Sequence, residues 1–208
     1  MTTWLHDQRL EAVLAAVRES GAERILDLGC GDGALLLRLA QEPAVRRVVG
    51  IDLSPDSLAQ LREKLRETPA EIREKVELIH GSIHESRPAL AGFDAAILVE
   101  IIEHIDPDRL SVIERRVFGD MRPSTVVITT PNGDFNPLLG VPNHRFRHPD
   151  HRFEWGRVKF RSWIEGVARR NGYAFTCRDV AGAHPVHGGA SQMATLKRLP
   201  AARERSAA

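Results

Sequence analysis

Apolar residues recur along this 208-residue chain in two rhythms, one of helical period and one of short continuous runs. Leu5, Leu10, Val13, Leu14 and Val17 fall at helical spacing and predict a helix over 4–19, with Gly21 as its stop. An apolar run at 24–28 predicts a strand that enters a glycine-rich turn, and a helix over 34–39 follows. The run at 47–51, RVVGI, predicts a second strand ended by Asp52. Ser54 as cap and Pro55 in the first turn open a helix to Arg66. Further strands are predicted at 76–79, 93–99 and 125–129, helices at 107–119 and 158–170, and late strands at 173–180 and 192–197.

Short apolar strands alternating with helices over the first 130 residues predict an α/β fold on a mostly parallel, seven-stranded sheet flanked by helices. Right-handed crossovers then place ligand sites at the carboxyl ends of the strands. The segment 131–157 breaks the rhythm. It is long and rich in His, Arg, Asn and Pro, as functional connections are, and its aromatic residues argue against disorder. One domain over 1–198 with this segment as an insert is expected, followed by a loose tail at 199–208.

Composition narrows the class. With 42% hydrophobic and 27% charged residues, a wholly disordered or fibrous chain is excluded. The longest apolar run, 95–99, is far short of the roughly 20 residues of a membrane span. Asp7 falls where an export signal would carry its apolar run, and two distant cysteines suit a reducing cytoplasm better than a disulfide framework. A net charge of +1 means that any nucleic-acid contact must be local.

Candidate chemistry begins at Asp27-Leu28-Gly29-Cys30-Gly31-Asp32-Gly33. Glycines between a strand and a helix let the backbone approach a ligand closely. Asp52, at the end of the next strand, is placed to hold two ribose hydroxyls, so the adenosine part of a cofactor is the natural ligand. Gly29, Gly31 and Ala34 also satisfy the loose dinucleotide pattern. Asp27 decides against it, because a carboxylate there repels a pyrophosphate and attracts the ammonium of an aminoacyl cofactor. The pattern resembles class I S-adenosylmethionine-dependent methyltransferases, a Rossmann-like fold. In that family the position of Ser82, after strand three, contacts the adenine.

Strand four runs into Glu100-Ile101-Ile102-Glu103-His104. If Glu100 opens a helical turn, Glu103 and His104 share its face. Two carboxylates and an imidazole beside a cofactor suit Mg²⁺ or Mn²⁺, the imidazole favouring Mn²⁺. Small-molecule methyltransferases carry similar runs that only line a pocket or cap a helix. In the insert, six Lys or Arg stand against two acids between Asn143 and Ser162, interleaved with Phe146, Phe153 and Trp155. That mixture suits single-stranded nucleic acid, although Phe153 and Trp155 are at least as well explained by packing on the sheet. His151 is a candidate fourth metal ligand, with Asp150 or Glu154 to fix its tautomer.

Together, Glu100-x-x-Glu103-His104 and Asp150-His151-Arg152-Phe153-Glu154-Trp155 resemble the Hen-type small-RNA 3′-terminal 2′-O-methyltransferases. The stretch Thr129-Thr130-Pro131-Asn132-Gly133-Asp134-Phe135-Asn136 resembles that family as well, and the likeness covers roughly 25–163. It implies metal ligands at Glu100, Glu103, His104 and His151, and cofactor contacts at Asp52, Ser82 and the glycine turn. It also implies an RNA 3′ end as substrate, with His104 or His148 accepting the proton. Two-domain bacterial members have a long N-terminal part that supports an RNA-repair kinase or ligase partner, and plant members have extra RNA-binding domains; neither is expected here. Two rival readings stand beside this one. One is a small-molecule O-methyltransferase acting on a catechol-like quinol, and the other is a non-catalytic RNA-binding module on the same fold.

Overall fold

The computed structural model describes residues 4–200, so the predicted tail lies outside the described residues beyond position 200. The chain runs α1 (Trp4–Ser20), β1 (Arg24–Leu28), α2 (Ala34–Gln41), β2 (Arg47–Asp52), α3 (Pro55–Arg66), a short α4 (Ala70–Arg73), β3 (Val76–His80) and β4 (Ala95–Val99). It continues through α5 (Leu110–Glu114), β5 (Thr125–Pro131), α6 (Arg157–Asn171), β6 (Tyr173–Val180) and β7 (Ser191–Arg198). The strands form one seven-stranded sheet in the order β3-β2-β1-β4-β5-β7-β6. The first five are parallel, and β7 pairs antiparallel with both β5 and β6.

Burial explains the continuous apolar runs. β1, β4 and β5 are central and covered on both faces, so nearly every position is buried. The edge strands β3 and β6 are only partly covered and read as mixed. On one face, Ile25, Val48 and Ile97 pack under Leu10, Leu14, Leu36 and Leu58 from α1, α2 and α3. On the other, Leu26, Val49 and Leu98 pack with Ile113, Phe118, Phe160 and Ile164 from the second half of the chain. The strand order reverses direction between β1 and β4, which opens a crevice at their carboxyl ends.

One predicted helix is broken. The segment expected at 107–119 is a 3₁₀ turn (Pro107–Arg109), then α5, then a π-helical turn (Arg115–Met121) closed by Arg122 at φ 47°. Val117, Phe118 and Met121 of the π turn all enter the core. The elements at 70–73, 88–90 and 133–139 are too short to show a period in the sequence.

Gly33 enters α2 at φ 86°, and a Cβ there would fall 2.2 Å from Cδ1 of fully buried Leu61. Gly33→Ala is therefore expected to lower stability by about 2–4 kcal/mol, from left-handed strain plus overpacking. Urea unfolding of the two proteins measures it, and equal midpoints would refute the account.

Candidate active site at the carboxyl edge of the sheet

Gly29, Gly31 and Gly33 all have positive φ and turn the chain sharply out of β1. A Cβ on Gly29 would fall 2.1 Å from Cδ1 of Ile101, so the turn packs directly on the segment after β4. Asp52 locks it: its carboxylate accepts from Gly31 N–H at 2.7 Å and from Ser54 N–H at 2.8 Å. A carboxylate has further lone pairs for ribose hydroxyls. Beneath the turn Asp27 is 2% exposed, and its Oδ2 has no hydrogen-bond partner among the described residues. Burial, with the Asp52 charge adding, pushes its carboxyl up to about 7. A buried acid with an unsatisfied oxygen fits a ligand ammonium.

Above the turn lies a cavity of about 480 Å³ whose wall includes Gly29, Asp52, Ser82, Ile101, His104 and Arg152. Ser82 Oγ accepts from His84 N–H at 3.1 Å and lies 3.1 Å from His84 Nδ1, so Ser82 closes a turn as well as facing the cavity. The cavity runs from the glycine turn to the imidazole of His104, which joins the two predicted halves of the site.

Glu100 does not open a helical turn. It takes φ 54°, and a 3₁₀ turn at Ile102–His104 follows. Its N–H bonds to Thr129 O at 3.1 Å, and its Oε1 accepts from Thr129 Oγ1 at 3.1 Å and faces Arg9 Nε at 3.5 Å. Glu103 is fully buried; one oxygen accepts from Thr130 Oγ1 at 2.9 Å and Oε1 has no partner among the described residues. Burial raises both carboxyls, and the Glu100 charge raises Glu103 further.

The insert folds back onto this turn. Arg152 N–H donates to Glu103 C=O at 2.7 Å, which seats the preceding residue, His151, against His104 with ring centroids 4.8 Å apart. The ligand nitrogens of His104, His148 and His151 lie within 4.8 Å of one another. Glu100 and Glu103 stand outside that group, turned to the hydroxyls of Thr129 and Thr130. His151 Nδ1 pairs with Glu154 Oε1 at 2.5 Å, which leaves Nε2 as the free lone pair. His148 is arranged the other way: its Nδ1 accepts from Asp150 N–H at 3.2 Å, so in the neutral ring the proton sits on Nε2. Burial, then the two neighbouring imidazoles, lowers the pKa of His104 and keeps it neutral.

Of the two carboxylates suggested as partners of His151, Glu154 fills the role and Asp150 does not. Glu154 is 1% exposed in its side chain and also accepts from Arg147 N–H at 2.7 Å and Asn136 Nδ2 at 2.6 Å. Arg147 then donates to Asn136 Oδ1 at 2.6 Å, to Ala190 C=O and to Asn132 C=O. Phe153 and Trp155 are 5% and 8% exposed and stack at 4.0 Å inside the core, so packing accounts for both. Sequence reasoning missed Arg9, Thr130 and Asn136. Arg9 carried no signal, being one polar position on an ordinary helix, whereas Thr130 and Asn136 lay inside a quoted motif without a role.

The sheet order and the glycine turn with its paired acids define a class I S-adenosylmethionine-dependent methyltransferase fold, and a family described as "Methyltransferase domain" matches residues 25–123. The small RNA 2′-O-methyltransferase of Gallus gallus is 38% identical over 82% of this chain and 46% of its own length. That of Arabidopsis thaliana is 32% identical over 93% of this chain and 22% of its own length, so this chain spans less than half of either relative. The crystal structure of the methyltransferase domain of bacterial CtHen1-C superposes with a TM-score of 0.85 at 33% identity, covering 94% of this chain and 100% of that one. The chain belongs to the Hen1 small RNA 2′-O-methyltransferase family.

Asp27 generates a measurable linkage. If Asp27 meets the cofactor ammonium, an acid raised to about 7 must ionise to do so, and S-adenosylmethionine binding is expected to release a proton at neutral pH and to weaken as pH falls below about 7. Calorimetry in two buffers of different ionisation enthalpy reads this. Asp27→Asn is expected to abolish the release and weaken binding roughly 10- to 100-fold. Binding without proton release in the parent protein would count against the assignment.

Proposed function

We propose that this chain transfers the methyl group of S-adenosylmethionine to the 2′-hydroxyl of the 3′-terminal ribose of a small RNA, with Mg²⁺ or Mn²⁺. The observation that carries the proposal is the single cavity that runs from Gly29, Asp52 and Ser82 to His104. A methyl donor seated on the glycine turn would point its reactive end at the histidine cluster. The membership of the chain in its family supplies the RNA. A partnership with an RNA-repair kinase or ligase belongs to the same reading and rests on the resemblance alone.

The donor set suits a divalent cation: Glu103 holds an unsatisfied buried oxygen, and on the turn that Glu103 shares with His104 the nitrogens of His104, His148 and His151 converge. Glu100, Glu103, His104 and His151 would hold the ion, which when bound acidifies a ribose hydroxyl. Two imidazole ligands, His104 and His151, favour Mn²⁺ over Mg²⁺. Glu154 fixes His151 with its Nε2 lone pair forward. His104 is then engaged as a ligand, and the proton falls to His148, whose side chain is 54% exposed and opens to water. To accept it, Nδ1 of His148, the lone pair of that neutral ring, must first be released by the Asp150 N–H. Arg109 and Arg152 on the cavity rim suit a phosphodiester and are poor company for an apolar quinol.

The test is label transfer from S-adenosylmethionine to single-stranded RNAs with 3′-OH, 2′-deoxy, 3′-deoxy or 3′-phosphate ends, with Mn²⁺ and with chelator. Incorporation is expected only into the 3′-OH RNA and only with metal. Transfer to a catechol but to no RNA would overturn the proposal. A second outcome concerns Glu154. Glu154→Gln keeps the shape but weakens the hold on His151, and Mn²⁺ affinity is expected to fall about 10- to 100-fold with cofactor binding retained. Unchanged metal titration would remove Glu154 from the site.

A further inference from the structure

A second cavity lies on the other side of Glu154 from the histidines. It holds about 320 Å³ and is walled by Asn136, Pro137, Val141, Arg145, Phe146 and Glu154, among others. Its floor and its rim differ in kind. On the floor every strong group is engaged: Asn136 and the Glu154 carboxylate bond each other, and both bond Arg147 beneath. On the rim, Phe146 is 46% exposed, whereas Phe153 and Trp155 of the same insert are in the core. The neighbouring side chain of Arg145 has no hydrogen-bond or ion-pair partner among the described residues. Other exposed arginines, such as Arg62, Arg73 and Arg169, share that state among the described residues; Arg145 differs from them in standing on a cavity wall beside an exposed ring.

A half-exposed aromatic ring and an unpaired guanidinium on consecutive residues, over a cavity with a fixed floor, is an arrangement that single-stranded nucleic acid uses. The ring offers a face to a base and the cation meets a phosphate. The cavity shares Glu154 with the His151 ligand pair, so it adjoins the place where the reacting ribose would sit. The charge on the insert is complementary as well. Arg147 faces Glu154, Arg152 faces Asp106, and Arg157 faces Asp134 and Asp179, which leaves Arg145, among the described residues, as the uncompensated cation on the cavity wall. Neither the family match nor the relatives' names assign anything to this cavity.

We propose that the cavity takes a nucleobase from the last two nucleotides of the RNA, stacked on Phe146, with Arg145 on the adjoining phosphate. This deepens the function proposed above and rests on that reading. It makes Phe146 a specificity-determining residue for the RNA end. The stacked base would fix the rotation of the terminal ribose about its backbone, and so present the 2′-hydroxyl rather than the 3′-hydroxyl.

The test compares the parent protein, Phe146→Ala and Phe146→Tyr on short single-stranded RNAs that lack the base at the last, the penultimate or a distant position. With intact RNA, Phe146→Ala is expected to raise KM roughly 5- to 100-fold, and Phe146→Tyr to restore it. Removing one of the two terminal bases should raise KM for the parent to a similar extent and add little to Phe146→Ala, because ring and base form one contact. Loss of the distant base should leave KM unchanged. A 2-aminopurine at the sensitive position gives a binding readout independent of turnover, quenched by the parent and by Phe146→Tyr but not by Phe146→Ala. If the parent methylates RNA while Phe146→Ala and the abasic RNAs behave like their parents, the stacking site is wrong and the function stands. If the parent methylates no RNA, the function itself fails. Because Phe146 projects into solvent, its truncation does not threaten the fold.

Discussion

Glu154 is the charge on which the irregular half of the site depends. An ionised carboxylate with a 1% exposed side chain persists only when its oxygens are met by donors. Here they are met by Arg147 N–H, Asn136 Nδ2 and His151 Nδ1. Each donor comes from a different part of the chain after β5, so satisfying one carboxylate gives a shape to a segment without a strand or an α-helix. Arg147 extends the effect by tying the same cluster to the carbonyls of Asn132 and Ala190, at the adjoining ends of β5 and β7. Breaking one member of such a buried group typically costs several kcal/mol, because the rest is left uncompensated. The insert is irregular in dihedral angles and still positionally determined.

That distinction explains what was legible in the sequence. The seven strands and the long helices were readable because burial on two faces writes itself as apolar runs and a helical stripe as a period of 3.6. β1 matches its predicted span at both ends, and α3 begins at the capped Ser54-Pro55 pair, where the Ser54 hydroxyl accepts from Ser57 N–H. The glycine turn was readable because positive φ selects glycine. What local pattern could not show was Glu100 at φ 54°. That conformation is imposed by its bonds to Thr129 on the adjacent strand. The π turn at Arg115–Met121 likewise left no trace, because its buried residues Val117, Phe118 and Met121 keep the spacing of an ordinary helical stripe.

Site chemistry was legible by type more than by placement. The acids and histidines were recognisable as a set, but their arrangement follows from a backbone bond between Arg152 N–H and Glu103 C=O that no spacing rule contains. Asp52 illustrates the same limit. It was expected to face a ribose, yet it first holds Gly31 and Ser54, so the residue that would receive the cofactor also builds the turn that receives it. The aromatic residues divide by burial, a property of the fold and not of the residue. Phe153 and Trp155 became core, while Phe146, only seven positions before Phe153, remained on the surface.

The three buried acids at the carboxyl edge of the sheet share one physical situation. Asp27, Glu100 and Glu103 are all raised by burial, so the ligand-free fold favours their neutral forms and a cation beside them would draw out the charge. They differ in what answers them. Glu100 has Arg9 within 3.5 Å, whereas Asp27 and Glu103 each keep one oxygen without a partner among the described residues. The fold thus leaves unmet carboxyl oxygens at two points, one under the glycine turn and one on the turn that carries His104. A cationic cofactor at the first and a divalent ion at the second would relieve both. The 480 Å³ cavity is lined by Gly29 above the first point and by His104 next to the second, so one continuous space joins the surroundings of the two acids.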